Sequence, residues 1–376
     1  MHLRGNCRPL LDKGGLQGGF GAPTPLDGSS CKDGAWGGLL GGRNKPTPAL
    51  RATPPREGIS GENIMTSLHS AQDLWSLILA GGNGERLGPM VQRWLGQHRP
   101  KQYCTFIGTR SMLQHTVDRS DRIVAPERRV TLVARCHGHE AWPQLSSRPK
   151  GKVMLQPGNR ETAAGIFLGL SYVRAHDPHA TVLIFPSDHF VHPEDAFLEM
   201  ASRLARAARN LKHWLFLLAA SPDSPEPEYG WIYPGAPLGW IDGCRIQGAQ
   251  AFLEKPNLAG CKKAMGDGAL WNTMVMATKV DTLWNLGLRR FPELMGLLEV
   301  YSGAIGTAQE HLVLERIYQR MPRHNFSADL LQECPNHVAV MELRGVLWSD
   351  WGKAERIAET LRKIGREPAF SRAHIA

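Results

Sequence analysis

From residue 65 onward, short apolar runs alternate with segments of helical spacing, and this alternation limits the fold more than any other feature. Arg129 to Ala134, Lys152 to Leu155, Thr181 to Phe185 and Trp214 to Ala220 are apolar stretches short enough for buried strands. Between them, Ser111 to Arg119, Glu161 to Arg174 and Ala196 to Leu211 repeat apolar residues at helical intervals. Such repetition predicts an α/β fold, Rossmann-like, with a mostly parallel mixed sheet and helices on both faces. Ligands of such sheets sit beyond the carboxyl ends of the strands.

The first apolar run, Asp73 to Ala80, delivers a glycine cluster at such an end. Gly81, Gly82 and Gly84 can adopt positive φ and bring backbone N–H groups against a ligand, while Arg86 and Lys101 add fixed positive charge. Loop and charges together predict a polyphosphate site. A Walker loop is excluded, because Gly84-Glu85-Arg86 lacks the closing lysine and hydroxyl. A dinucleotide fingerprint is excluded too, because Leu87 stands where its third glycine would be.

Past Trp214 the texture changes to short strands with turn residues, at Tyr229 to Tyr233 and Ala249 to Pro256, followed by an amphipathic helical region from Val280 to Met321. Gln156-Pro157-Gly158-Asn159-Arg160 follows a strand and opens a helix. Asn159 suits a helix cap there, or it joins Gln156 and Arg160 in offering donors to a base or ribose. Asp188, at a strand's carboxyl end, is placed either for a turn or for a magnesium ion. His189 and His192 read as loop residues, since hard magnesium prefers oxygen, and His137 with His139 is too sparse for zinc.

Leu79-Ala80-Gly81-Gly82-x-Gly84-x-Arg86-Leu87 followed by Pro100-Lys101-Gln102 resembles the signature of sugar-phosphate nucleotidyltransferases, and the later motifs resemble the guanylyltransferases that act on mannose 1-phosphate. The likeness runs from about Leu77 to Leu361. It implies a nucleotidyltransferase domain of GT-A-like build over 65–365, with a nucleotide half near 74–212, a smaller sugar-binding β subregion in the half near 213–365, and a tail at 366–376.

The resemblance implies roles residue by residue. Leu79, Ala80, the three loop glycines, Gln156, Asn159 and Arg160 would bind the nucleotide. Gly230, Glu254, Lys255 and Asn272 would bind the sugar phosphate. Arg86, Lys101, Asp188, Lys255 and Asp350 would carry catalysis, with Mg²⁺ on Asp188 and Asp350. The implied reaction joins GTP and mannose 1-phosphate into GDP-mannose and pyrophosphate. Glu85, Met274 (for a glycine) and Trp351 (for a small apolar residue) depart from the usual pattern, so another sugar phosphate or nucleotide stays open, as does a non-catalytic GDP-mannose-binding regulator. A glycosyltransferase would show Asp-x-Asp after a strand, and none stands there. Longer relatives add a β-helical or isomerase segment; a second activity is not expected here.

Bulk properties bound the rest. A net charge of +9 suits anionic substrates or a basic solvated surface equally, and no basic run interleaved with aromatics points to nucleic acid. Seven cysteines without a Cys-x-x-Cys pair predict reduced thiols and a cytoplasmic protein. The longest apolar runs fall well short of the ~18 residues a membrane span needs. Oligomeric state is open, with a homodimer among the options. Residues 1–64 hold 14 of the 40 glycines and 7 of the 26 prolines without periodicity, which predicts disorder. Met65, just before the first strand, is an alternative translation start.

Overall fold

The structure, a computed structural model, describes residues 73–374; the expectations for 1–64 and for Met65 lie outside the described residues. The strands are β1 (Leu74–Ala80), β2 (Arg129–Ala134), β3 (Lys152–Gln156), β4 (Thr181–Pro186), β5 (Phe190–His192), β6 (Leu215–Ala220), β7 (Gly230–Ile241), β8 (Cys244–Glu254), β9 (Leu270–Lys279), β10 (Val338–Glu342) and β11 (Leu347–Ser349). Nine of them form one sheet in the order β3-β2-β1-β4-β9-β6-β10-β8-β7, while β5 and β11 pair as a separate antiparallel ribbon.

β1 pairs in parallel with β2 and β4, and β2 with β3. β9 runs antiparallel to both β4 and β6, so β6 and its parallel partner β10 keep the direction of β1. β8 runs against β10 and β7 against β8. Only β8 and β9 oppose the common direction, which is the mostly parallel mixed sheet the alternation predicts.

The continuous apolar run of β1 is explained by cover on both faces. On one, α4 (Glu161–His176) lies against β1 so closely that a Cβ on Gly169 would fall 2.2 Å from Leu77 Cδ1. Over α4 pack α7 (Val280–Arg290), α8 (Pro292–Ser302) and α9 (Glu310–Arg320), with the rings of Phe167 and Phe291 edge to face at 5.9 Å. The other face is covered by α5 (Glu194–Asn210), whose Phe197, Leu198, Ala201 and Leu204 share a core with Leu74 and Phe216. Cys261 and Ala264 of α6 (Leu258–Gly266) join the same core. Near Ile78, α2 (Met112–Asp121) and α3 (Gly138–Leu145) close that face; Ser111 and Gln114 form the reciprocal capping box of α2.

The two halves are interleaved: β9 from the second is inserted between β4 and β6, and helices of the second sit on α4 of the first. The stretch beyond 365 is not a free tail: Ala369 N–H donates to the Phe106 carbonyl at 2.8 Å and Phe370 is buried. Phe370 joins Phe106 and Trp351 in an aromatic cluster that links α1 (Gly88–Leu95) to α10 (Ala354–Lys363). Trp351 stacks on Phe190 with 4.4 Å between centroids, so its bulk is core filling, not an obstruction of the site.

Candidate active site

Of the three glycines in the loop after β1, Gly84 is the one its backbone requires. Gly84 has φ +66°, and a Cβ on it would lie 2.7 Å from the backbone nitrogen of Lys101. A Cβ on Gly81 would lie 2.5 Å from Gln156 Oε1. From behind, Gln102 Nε2 donates to the carbonyls of Gly82 at 2.7 Å and Ala80 at 3.1 Å, and the Tyr103 hydroxyl donates to Ala80 at 3.0 Å. Gln102 and Tyr103 are thus structural members of the loop that the sequence left unassigned.

Beside the loop opens a cavity of about 320 Å³ whose lining includes Leu79, Gly81, Gly82, Gln156, Asn159 and Asp188. Five residues expected at the nucleotide therefore meet Asp188 in one space. Ala80 and Gly84 shape the loop from outside that lining. Asn159 keeps a local role too, its Oδ1 accepting from Glu161 N–H at 2.9 Å at the start of α4. Arg160 is a correction: its guanidinium donates to the carbonyls of Tyr318 at 2.9 Å and Gln319 at 3.2 Å, at the end of α9, and it does not line the cavity.

Next to this cavity two cations and two acids lie within contact of one another. Lys101, 4% exposed, places Nζ 2.9 Å from Asp188 Oδ2 and donates also to the Asp350 carbonyl. Arg86 Nη2 donates to Asp350 Oδ2 and Nη1 to Glu228, each at 2.9 Å. On Asp350 Oδ1 converge the Tyr229 hydroxyl at 2.7 Å, the Gly352 N–H at 2.9 Å and Arg356. Burial opposes the Asp350 charge, yet Lys101, Tyr229, Arg356 and Arg86 outweigh it and hold the carboxyl well below the usual range. Burial likewise opposes Asp188, and Lys101 and then His189 prevail to lower its pKa.

These contacts decide where a divalent cation would fit. Asp188 lines the cavity with Oδ2 on Lys101 Nζ and Oδ1 3.7 Å from His189 Nε2, and its carboxylate is of the hard-oxygen type a divalent cation takes. Of the four donors that reach Asp350, three end on Oδ1 and one, from the half-exposed Arg86, on Oδ2. Among the described residues no cluster of three metal-binding side chains occurs. His189, expected as a loop residue, lines the cavity, stands edge-on to Trp348 at 5.3 Å, and has its pKa lowered by burial.

The residues expected at the sugar phosphate gather next to this centre. The antiparallel register Trp231↔Trp271, continued by one residue, sets Gly230 beside Asn272, and Gly230 pairs with Glu254 across β7 and β8. Gly230 is required by close packing, since a Cβ there would fall 2.7 Å from the Phe252 ring and 3.0 Å from Glu254 Oε2. Burial raises the Glu254 pKa against the pull of Lys255, whose side chain is 60% exposed with Nζ 3.8 Å from Glu254 Oε1. Asn272 Oδ1 accepts from Met274 N–H at 3.0 Å, and Met274, at φ +56°, lines the cavity. The left-handed backbone that glycine would favour is kept there under a long side chain.

A family model described as Nucleotidyl transferase matches residues 75–367. Among curated proteins, the xanthan biosynthesis protein XanB of Xanthomonas campestris pv. campestris (strain B100) is 31% identical over 207 residues, 54% of this chain and 41% of that protein. The mannose-1-phosphate guanylyltransferase of Salmonella montevideo is 28% identical over 277 residues, 71% of this chain and 54% of that protein. The chain spans about half the length of the curated relatives it matches. A solved structure described as mannose-1-phosphate geranyltransferase from Thermus thermophilus aligns with a TM-score of 0.65 at 26% identity, covering 77% of this chain and 79% of that one. Since the family match takes in the glycine loop, both acids and every strand of the sheet but the first residue of β1, the chain belongs to the nucleotidyl transferase family.

Proposed function

We propose that this chain transfers GMP from GTP to α-mannose 1-phosphate, releasing pyrophosphate and leaving GDP-mannose. The observation that carries the reading is Lys101, a buried ammonium fixed between the Asp188 carboxylate and the Asp350 carbonyl beside the glycine loop. A preorganised charge at that place suits a reaction in which two polyanions must meet. A phosphate oxygen of the sugar forms its bond to the α-phosphorus as the bond to pyrophosphate breaks, so positioning and charge neutralisation do the chemistry.

Lys101 and Arg86 would neutralise the triphosphate. Gln156 and Asn159 would present amides to the base, with Leu79 and Leu132 as apolar walls of the same cavity. Lys255 would hold the sugar phosphate, Glu254 and Asn272 the sugar hydroxyls. Mg²⁺ would be held by Asp188, and when bound it supplies further neutralisation at the transferring phosphate. Relatives named for mannose-1-phosphate guanylyltransferase support the choice of substrates. Met274 in the cavity wall favours a second reading with the same chemistry on a different sugar 1-phosphate.

Incubation with GTP, mannose 1-phosphate and Mg²⁺ is expected to give GDP-mannose and pyrophosphate in equal amounts. Lys101→Ala should lower turnover on the order of 10²-fold, as removal of a preorganised charge partner does. Release with another sugar phosphate alone would replace the substrate. No pyrophosphate release across a panel of nucleoside triphosphates and sugar 1-phosphates, with GDP-mannose still binding, would replace transfer with the regulatory reading.

A further inference from the structure

We propose that the α5 face of the sheet carries a second binding site, one for a neutral, hydroxyl-rich molecule of hexose size. The inference goes beyond nucleotidyl transfer and does not depend on it. Between the loop that follows β6 and the helix α10 lies a cavity of about 340 Å³, within the roughly 300–1,000 Å³ of small-molecule pockets. Its floor is aromatic: Tyr229, Trp271 and Trp348 are each 6% exposed and belong to the core under α5. Leu132 and Met274, in the wall of the nucleotide cavity, pack instead with the core under α4. The two spaces are therefore lined from opposite faces of the sheet. At the rim, Lys363 Nζ on α10 reaches Asp223 Oδ2 on the loop at 3.1 Å and Glu359 Oε1 at 3.4 Å, with the three side chains between 43% and 63% exposed. Exposed pairs contribute little, so this strap opens at small cost.

Two observations fix the chemistry of the occupant. The first is a shortage of acceptors. The indole N–H groups of Trp271 and Trp348 are buried with no partner among the described residues, and a buried donor left unpaired is costly. An occupant with acceptor oxygens against these rings relieves that cost, whereas an ammonium, which only donates, does not. The second is charge. The lining sets three carboxylates, Asp223, Glu226 and Glu359, against two cations, Arg356 and Lys363. Both cations are engaged, Lys363 on the strap and Arg356 on Glu226 and Asp350. A phosphate or nucleotide would meet net negative charge there, with no lining cation free to receive it. A neutral polyol meets both conditions, because each hydroxyl donates to a carboxylate and accepts from an N–H. The C–H face of a sugar ring then packs on the aromatic floor.

The test uses the full chain, with D-mannose, D-glucose and D-galactose as probes and a saturation-transfer NMR titration as the readout. At least one of them is expected to bind in the millimolar range, ordinary for a ligand of that size. Ser224, exposed on the loop and part of the lining, supplies the block. Ser224→Trp is expected to abolish binding with the melting temperature unchanged, since surface substitutions seldom cost stability. Trp348→Phe, which keeps an aromatic ring and loses the N–H, should weaken the hexose about threefold to tenfold. If it fails to fold, Ser224→Trp decides. Affinity unchanged in both variants, or no hexose bound at all, would overturn the site. Binding lost in Lys255→Ala and kept in Ser224→Trp would place the hexose at the candidate active site and overturn it too. So would a hexose 6-phosphate that binds as tightly as its parent sugar and is blocked by Ser224→Trp, because the charge argument then fails. None of these results touches nucleotidyl transfer, whose own readout is pyrophosphate release.

Discussion

Met274 is the residue at which this chain most visibly sets its own terms. An L side chain at φ +56° costs about 1–2 kcal/mol relative to glycine, and here the thioether also forms cavity wall and accepts from Ser327 Oγ at 3.3 Å. Met274→Gly is expected to relieve that strain and lose a comparable amount of packing, so stability should move by less than about 1 kcal/mol. Its consequence should lie in selectivity: the ratio of kcat/KM for bulkier over smaller sugar 1-phosphates rises, and an unchanged ratio would remove Met274 from the acceptor site. At this scale the site was legible where local motifs carry it. Gly81, Lys101 and Asp188 could be read because their chemistry is written within a few residues. Arg160 could not, since the carbonyls that claim it lie about 158 positions downstream. Arg356 gave no signal either, being an ordinary arginine on an amphipathic helix until the fold brings it to Asp350.

At the scale of elements, the segment after α10 is the piece whose role a linear reading understates. Phe370 is 4% exposed, faces the rings of Trp94 at 5.7 Å and Phe106 at 6.2 Å, and is fixed by the neighbouring Ala369 N–H bond to Phe106. Arg93 on α1 also donates to the His374 carbonyl. The end of the described chain thus braces α1, and α1 follows directly on the turn that carries Arg86. Phe370→Ala is expected to destabilise by about 3 kcal/mol or more, the cost of emptying a buried aromatic site, and to raise the KM for nucleotide as α1 loosens. Denaturant melts and KM measured together check it; a destabilised protein with an unchanged KM would show that bracing and binding are separate. β1, β2, β3, β4 and β6 were readable to within a residue or two as short apolar runs, whereas β9 and β10, equally central in the sheet, were not singled out. The ribbon of β5 and β11 was not, because three-residue strands are defined by their partner and not by a pattern of their own.

For the molecule as a whole, the decisive feature is that the chain's two functional halves share one sheet. β4 would be an open edge after residue 212, but β9 covers it from Thr181↔Lys279 to Ile184↔Met276 and then pairs with β6 on its other side. The alternating pattern shows that strands exist and that most run together; it does not show that one strand returns antiparallel into the middle, because pairing order is decided by tertiary contacts. A fragment of 73–212 would leave the backbone N–H and C=O groups along one edge of β4 unpaired and strip α4 of the helices that bury Phe167, so it lacks both the pairing and the core an independent domain needs. That fragment is expected to be aggregated or unfolded by circular dichroism and size-exclusion chromatography, whereas 73–374 folds with a cooperative melt. A monomeric, cooperatively folding 73–212 would show that the nucleotide half stands alone. If it does not, opening of the cavity cannot come from a hinge between halves, and adjustment to substrate falls to what lies outside the shared sheet: α1, the exposed arm of Arg86, and the segment that braces them.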